Sequence, residues 1–204
     1  MMKPILILYA SREGQTERIA EYLGEKICSH ALAATVLNAR EVPENFSLTP
    51  YAAAVIAASV HGGKHEREIV KFIKNHRNAL HQTLTAFVSV SLSQAGVQDE
   101  RATPENREKA AADVKKMIDS FLAETQWHPT IVRPVAGALM YRQYNFILRL
   151  IMRRIARRVG ASTDTSRDHV FTNWQDLDHF VDDLLHSLRA QPGAPYDPAV
   201  SEIA

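Results

Sequence analysis

A single cysteine, Cys28, stands in 204 residues, so the chain holds no internal disulfide framework and no cysteine-only metal site. It falls in an amphipathic helical pattern and is expected to be a buried structural thiol. No run of ~18 or more apolar residues is present, which excludes a simple membrane-spanning helix. A charged-then-apolar leader with a cleavage site is also missing, because the apolar run over residues 4–10 is too short. The chain is therefore expected in the cytoplasm. Charge of either sign is in little excess: the formal net charge is +1, and the global balance selects no partner. Acid is absent locally, however. Between Glu124 and Asp164 there is no Asp or Glu, while seven arginines lie in that interval. No internal repeat occurs, which excludes repeat arrays. A hydrophobic fraction of 46% with 23% charged residues is that of a globular protein with a full core.

What is present is organised around residues 4–16. Residues 4–10 form a continuous apolar run with the length of a strand buried on both faces, as in a parallel sheet. The run ends in Ser11-Arg12-Glu13-Gly14-Gln15-Thr16, where a helical pattern begins. Ser11 and Thr16 supply hydroxyls, and Gly14 lets the backbone turn tightly enough to aim several N–H groups at one point. A helix N-terminus adds unpaired amides and the positive end of a dipole, which favour a phosphate. The spacing is neither the Gly-x-Gly-x-x-Gly of dinucleotide folds nor the Gly-Lys-Ser/Thr ending of a P-loop. The same residues also fit an ordinary strand-to-helix turn with a Ser or Thr cap.

Elsewhere the chain alternates. Residues 16–29 place Ile19, Ala20, Leu23 and Ile27 on one face of a helix. Residues 35–38 are a second strand, 40–50 a loop, and 52–60 a third buried strand that ends in Ser59-Val60-His61-Gly62-Gly63-Lys64-His65. A helix follows over 66–80, then a strand over 84–91 and a polar loop over 92–102 that opens with Leu92-Ser93. Thr103 caps a helix with Pro104 in its first turn, running to about residue 124. A fifth strand spans 131–139, irregular or at an edge because of Pro134. Asn173 caps a last helix over 174–190, and the tail over 191–204, with three prolines, is expected to be mobile. Residues 1–190 are expected to form one domain with an insertion over 141–168.

Five strands alternating with helices specify an α/β fold, a doubly wound five-stranded parallel sheet. The strand order 2-1-3-4-5 places ligands beyond the carboxyl ends of strands one, three and four. The candidate ligand-binding positions are therefore Ser11, Arg12, Glu13, Gly14, Gln15 and Thr16, then Ser59, Val60, His61 and Gly62, then Ser91, Leu92 and Ser93. All three loops are rich in Ser, Gly and other polar residues. His61-x-x-x-His65 has metal-like spacing, but the two glycines between argue for a loop rather than a ligating helix face.

The acid-free interval contains a second pattern. On a helical wheel of residues 141–159, Arg142, Arg149, Arg153 and Arg157 cluster on one side. Tyr144, Ile147, Leu148, Ile151, Ile155 and Val159 cluster on the other. Arg154 falls at the border, Arg158 just inside the apolar side, and Phe146 and Leu150 interrupt the polar one. An apolar stripe opposite a one-signed arginine face fits a helix lying in an anionic membrane interface. A helix docked on the protein's own surface gives the same pattern. A nucleic-acid partner is not expected, since no recognised binding motif accompanies the arginines.

Several further stretches accompany the first loop. They are Thr125-Gln126-Trp127-His128-Pro129, Ala136-Gly137-Ala138-Leu139 with Tyr141, Leu150-Ile151-Met152, Thr163-Asp164-Thr165-Ser166-Arg167 and Thr172-Asn173-Trp174. The Ser-x-x-Gly-x-Thr loop resembles the phosphate loop shared by flavodoxins. In combination, over residues 5–188, the chain resembles the flavodoxin-like, menaquinone-dependent protoporphyrinogen oxidases of bacterial haem synthesis. The resemblance implies a flavodoxin-like fold, bound FMN, oxidation of protoporphyrinogen IX to protoporphyrin IX, and electron delivery to a membrane quinone, menaquinone or ubiquinone. It implies a peripheral protein on the inner face of the cell membrane. Porphyrinogen is an apolar macrocycle with anionic propionates, so an arginine-bearing amphipathic helix beside a flavin could meet both parts. The flavin carries the redox step, so no side chain is nominated as acid, base or nucleophile. A phospho-receiver would need acids where Ser11 and Ser59 stand. A plain flavodoxin carrier, typically acidic, would lack the basic insertion. An NAD(P)H:quinone reductase, which needs no dinucleotide fingerprint, stays open, as does a non-enzymatic membrane-binding module.

Overall fold

The structure, a computed structural model, describes residues 2–139 and 168–190. The helix expected over 141–159 and the tail over 191–204 lie outside the described residues. The first half contains β1 (Ile5–Ala10), α1 (Gln15–Ser29), β2 (Ala34–Asn38), β3 (Ala53–His61), β4 (Lys64–His65) and α2 (Arg67–His81). The second contains β5 (Leu84–Ser91), α3 (Leu92–Gln98), α4 (Pro104–Thr125), β6 (Ile131–Ala136), β7 (Ala138–Leu139), β8 (His169–Val170) and α5 (Trp174–Arg189).

Five strands pair in parallel in the order β2-β1-β3-β5-β6, the expected 2-1-3-4-5 of the main strands. Continuous apolar runs make the central strands because both faces of the sheet are covered. Along β1, Ile5, Ile7 and Tyr9 point to one layer, packed with α1 and α5. Leu6, Leu8 and Ala10 point to the other, packed with α2 and α4. Each fully buried aliphatic side chain stabilises by about 1.5–3 kcal/mol, so this double burial fixes the register of β1 strongly. The helix faces follow from sequence period: Leu177, Phe180, Val181, Leu184, Leu185 and Leu188 of α5 are all buried. Caps are where the sequence puts them. Thr103 accepts from Asn106 N at 3.3 Å, and Asn173 from Asp176 N at 3.2 Å.

Four local features differ from the sequence reading. Cys28 is exposed, not buried: α1 buries Ile19, Ala20, Leu23, Gly24 and Ile27, and one step of about 100° beyond Ile27 turns the thiol outward. The polar stretch after β5 is not a loop throughout, because Ser91 caps a short helix, α3, by accepting from Gln94 N at 3.3 Å. The two-residue strand β4 folds back on β3, with Val60 opposite His65 and His61 opposite Lys64. Gly62 and Gly63 between them both have positive φ, 58° and 78°, as a type I′ hairpin turn requires. Finally, the fifth strand is interrupted at Gly137. Residues up to Ala136 continue the parallel sheet at its edge, whereas β7 pairs antiparallel with β8.

His65 lies in the second core layer. Its Nε2 is 2.8 Å from Ser89 Oγ, and its ring is tilted against Phe87 and Phe121. Burial lowers its pKa from 6.5 to about 4, so the folded protein keeps this ring neutral. Above pH 6.5 it is neutral in both states and adds no pH dependence. As pH falls from 6.5 towards 4, the unfolded chain binds a proton that the fold refuses. Stability should therefore drop by about 2–3 kcal/mol across that window from this residue alone. Urea unfolding at pH 7 and pH 4.5 checks it: His65→Gln should be less stable at pH 7 but lose less on acidification. An equal acid loss in both proteins would assign the effect elsewhere.

Candidate functional site

The C-terminal ends of β1, β3 and β5 converge on one cleft, at the point where the strand order reverses. At Gly14 the backbone takes φ 83°, a left-handed conformation that costs an L side chain about 1–2 kcal/mol. The turn lets α1 start immediately, and Gly14 N–H donates to Ser11 Oγ at 2.9 Å. With its oxygen accepting, the Ser11 hydroxyl keeps its proton for a group in the cleft. Among the described residues no side chain caps α1, which leaves its first amides available to a ligand. A side chain built on Gly14 would meet nothing within 4 Å, which leaves open space over the turn.

Gln15 and Thr16 are buried at the start of α1. Gln15 Nε2 donates to Thr172 Oγ1 at 2.8 Å, and Thr172 Oγ1 donates to Ala136 O at 2.7 Å. This chain of bonds ties the first loop to the end of β6 and to the segment before α5. Gln15 Oε1 is buried without a hydrogen-bond partner among the described residues. A buried orphan acceptor beside a cleft is satisfied by a ligand hydroxyl or N–H.

The second loop is held from below by a buried carboxylate. Glu66 is 1% exposed, with Arg12 Nε at 2.8 Å, Ser59 Oγ donating at 3.1 Å and His61 Nε2 at 3.6 Å. The first and second loops are thus joined by an ion pair across 54 residues of sequence. On the third side, Gly137 N–H donates to Ser91 O at 3.0 Å, which brings the break between β6 and β7 against the end of β5.

The resulting cleft encloses about 60 Å³. Of the sequence-predicted residues, Ser11, Glu13, Gln15, Thr16, Ser59, Val60, His61, Ser91 and Leu92 line it together. Arg12, Gly14, Gly62 and Ser93 do not: Arg12 turns to Glu66, Gly14 shapes the turn, Gly62 sits at the exposed hairpin tip, and Ser93 lies within α3. Val90, Gly137 and Ala138 also line the cleft and were not predicted to do so from spacing. Only the Gly at the end of an interrupted apolar run could have signalled the last two. The four arginines Arg142, Arg149, Arg153 and Arg157 lie outside the described residues.

Comparison with known proteins decides the family. The profile of the flavodoxin domain matches residues 6–166. The chain belongs to the flavodoxin-domain family. Within that family it is 31% identical to the protoporphyrinogen IX dehydrogenase [quinone] of Escherichia coli K12 over 181 residues, 89% of this chain and 94% of the relative. It is 26% identical to the protein of the same name from Leishmania major, over 93% of this chain and 78% of that one. Among solved structures, a short-chain flavodoxin associated with a bacterial microcompartment superposes with a TM-score of 0.51. It covers 92% of this chain and 99% of its own, at 11% identity. The resemblance to the quinone-dependent protoporphyrinogen oxidases is thereby borne out, and the chain stands with the flavin-dependent oxidoreductases. No helix among the described residues is long and apolar enough to cross a membrane.

The cleft's donors and its orphan acceptor fit a flavin mononucleotide. The uncapped amides of α1 and the hydroxyls of Ser11 and Thr16 match a phosphate, and Gln15 Oε1 matches a ribityl hydroxyl. His61 and Leu92 belong to the same lining, from the second and third loops.

Proposed function

We propose that the protein binds FMN in this cleft and oxidises protoporphyrinogen IX to protoporphyrin IX, with a membrane quinone as electron acceptor. The observation that carries the reading is a donor-lined cleft at the strand switch point, in a chain matching 94% of a relative named for this reaction. The chemistry a bound flavin supplies is the passage of electron pairs from porphyrinogen to quinone. Electrons and protons leave the macrocycle in equal number, and each quinone takes up a pair of both to become a quinol, so no further oxidant is needed.

The chain's own residues bind and orient. Ser11, Thr16 and the first amides of α1 hold the phosphate end, with the left-handed Gly14 setting their direction. Gln15 receives a ribityl hydroxyl while Thr172 fixes its amide. The Glu66 carboxylate, shielded from water and bound by Arg12 and Ser59, keeps the first two loops in register. His61 and Leu92, which line the same cleft, would border the flavin if it is bound there.

The arginine-rich stretch over 141–159 supplies the second half of the reading. Its apolar and basic residues suit the inner face of a membrane with anionic lipids, where a quinone is reached. An anaerobic assay tests the function. Protoporphyrinogen IX should bleach the flavin absorbance of the purified protein, and menaquinone or ubiquinone should restore it. NADPH should do neither at a comparable rate. Robust NADPH-driven quinone reduction without porphyrinogen turnover would overturn the assignment in favour of a quinone reductase.

A further inference from the structure

Beside the cleft lies a second and larger cavity, a groove of about 460 Å³ between the hairpin of β3 and β4, the outer face of α2 and the end of α4. That is within the volume range of small-molecule sites. Its walls carry Arg12, Lys64, Arg67, Lys71 and Lys74, and the carboxylate lining it is Glu124. Two of the cations are already engaged: Arg12 with Glu66, and Lys74 with Glu124 at 3.2 Å. Lys64, Arg67 and Lys71 have no carboxylate partner among the described residues and are exposed. The nearby Glu68 is held by Arg40 at 2.9 Å. The groove therefore presents an unneutralised excess of positive charge.

Helix stability does not account for this arrangement. Arg67 is the first residue of α2, where the dipole disfavours a cation. Lys71 follows at i+4 and Lys74 at i+7, on the same face, and like charges at that spacing repel. The lysine at the hairpin, Lys64, reaches the same groove from a different element. His61 lines both the groove and the flavin cleft, so the two cavities meet at that side chain. A ligand anchored by acidic groups in the groove would lay the rest of its body across the cleft mouth.

We propose that this groove is the carboxylate-binding subsite of the substrate, in which Lys64, Arg67 and Lys71 hold the propionate side chains of the tetrapyrrole. The assignment rests on the functional reading above, and it places the acidic edge of the macrocycle on α2 with its apolar body over His61. Arg67 offers a planar fork for one carboxylate, and the two lysines are point charges that adapt to the other.

The test uses the full-length, FMN-loaded protein and the variant Lys64→Gln, Lys71→Gln, compared on protoporphyrinogen IX and on its dimethyl ester. With the free acid, KM should rise roughly tenfold while kcat changes little, the size expected for two partly screened charge contacts. With the ester, whose propionates carry no charge, parent and variant should share one KM. Titration with protoporphyrin IX, followed by its fluorescence, should show the same loss of affinity without turnover, and added salt should narrow the difference. An unchanged ratio of free-acid to ester KM overturns the subsite while leaving the oxidase reading intact. If the parent oxidises neither porphyrinogen, the functional reading fails, and the fluorescence titration alone decides whether the groove binds the dicarboxylate. Loss of binding to phosphatidylglycerol vesicles with unchanged porphyrin affinity would make the groove a lipid contact and overturn the proposal.

Discussion

Replacing Ser11 and Thr16 together with alanine should weaken FMN binding by two to four orders of magnitude. In the proposed reading each hydroxyl donates to a charged phosphate, and such bonds contribute about 1.5–3 kcal/mol apiece. Losing both removes roughly 3–6 kcal/mol, which converts to about 10²–10⁴ in Kd. The fold should survive, because neither hydroxyl holds the core together. Among the described residues Ser11 Oγ accepts only from Gly14 N, and Thr16 sits in the first turn of α1, whose stability comes from Ile19, Leu23 and Ile27. Fluorescence titration of the apoprotein with FMN measures the change, with far-ultraviolet circular dichroism as the folding control. An affinity within a few-fold of the parent would mean that the phosphate is held elsewhere.

Reversing the charge of Arg149, Arg153 and Arg157 to glutamate should abolish attachment to anionic vesicles and leave FMN binding intact. A basic residue near an anionic leaflet contributes about 1 kcal/mol, and an acid in its place is repelled. Three reversals therefore remove on the order of 3–6 kcal/mol, enough to empty a marginally bound interface of protein. The parent should sediment with such vesicles at low salt and release near 1 M, where the screening length has fallen to about 3 Å. Quinone-coupled turnover in membranes should fall in the variant, while turnover with a soluble acceptor should persist. Vesicle binding equal to that of the parent would place the arginine-bearing stretch against its own domain rather than lipid.

The parts of the fold that were readable from sequence are those where burial dictates composition. β1, β3 and β5 are covered on both faces and so are written as unbroken apolar runs. α5 is covered on one face and so is written with an apolar period. The parts that were missed depend on few residues or on distant partners. α3 has seven residues, a glycine and no apolar stripe, and its sole local signal was Ser91 as a cap. β4 is two residues long and exists because two glycines can both turn left-handed. Cys28 was misjudged because it lies one step beyond the buried face of α1, a distance that an approximate helical phase cannot resolve. In the site, the loops were legible from Ser, Gly and Thr at the ends of strands. The Arg12–Glu66 pair and the Gln15–Thr172–Ala136 chain were not, since nothing in the sequence joins residues so far apart.

The pairing of β7 with β8 bears on how such proteins diversify. Leu139 faces His169 across a two-residue antiparallel ladder, so the stretch between them begins and ends at neighbouring points. Directly opposed residues in such a ladder stand about 4.5–5.5 Å apart. The two ends of the intervening stretch are thus held close together by the ladder, and in general doubling the length of a flexible loop costs only about 0.6 kcal/mol. An insertion at such a point is therefore cheap in closure entropy whatever its length. Sequence added between β7 and β8 can change in length and charge without displacing the ends of β1, β3 and β5 that form the cleft.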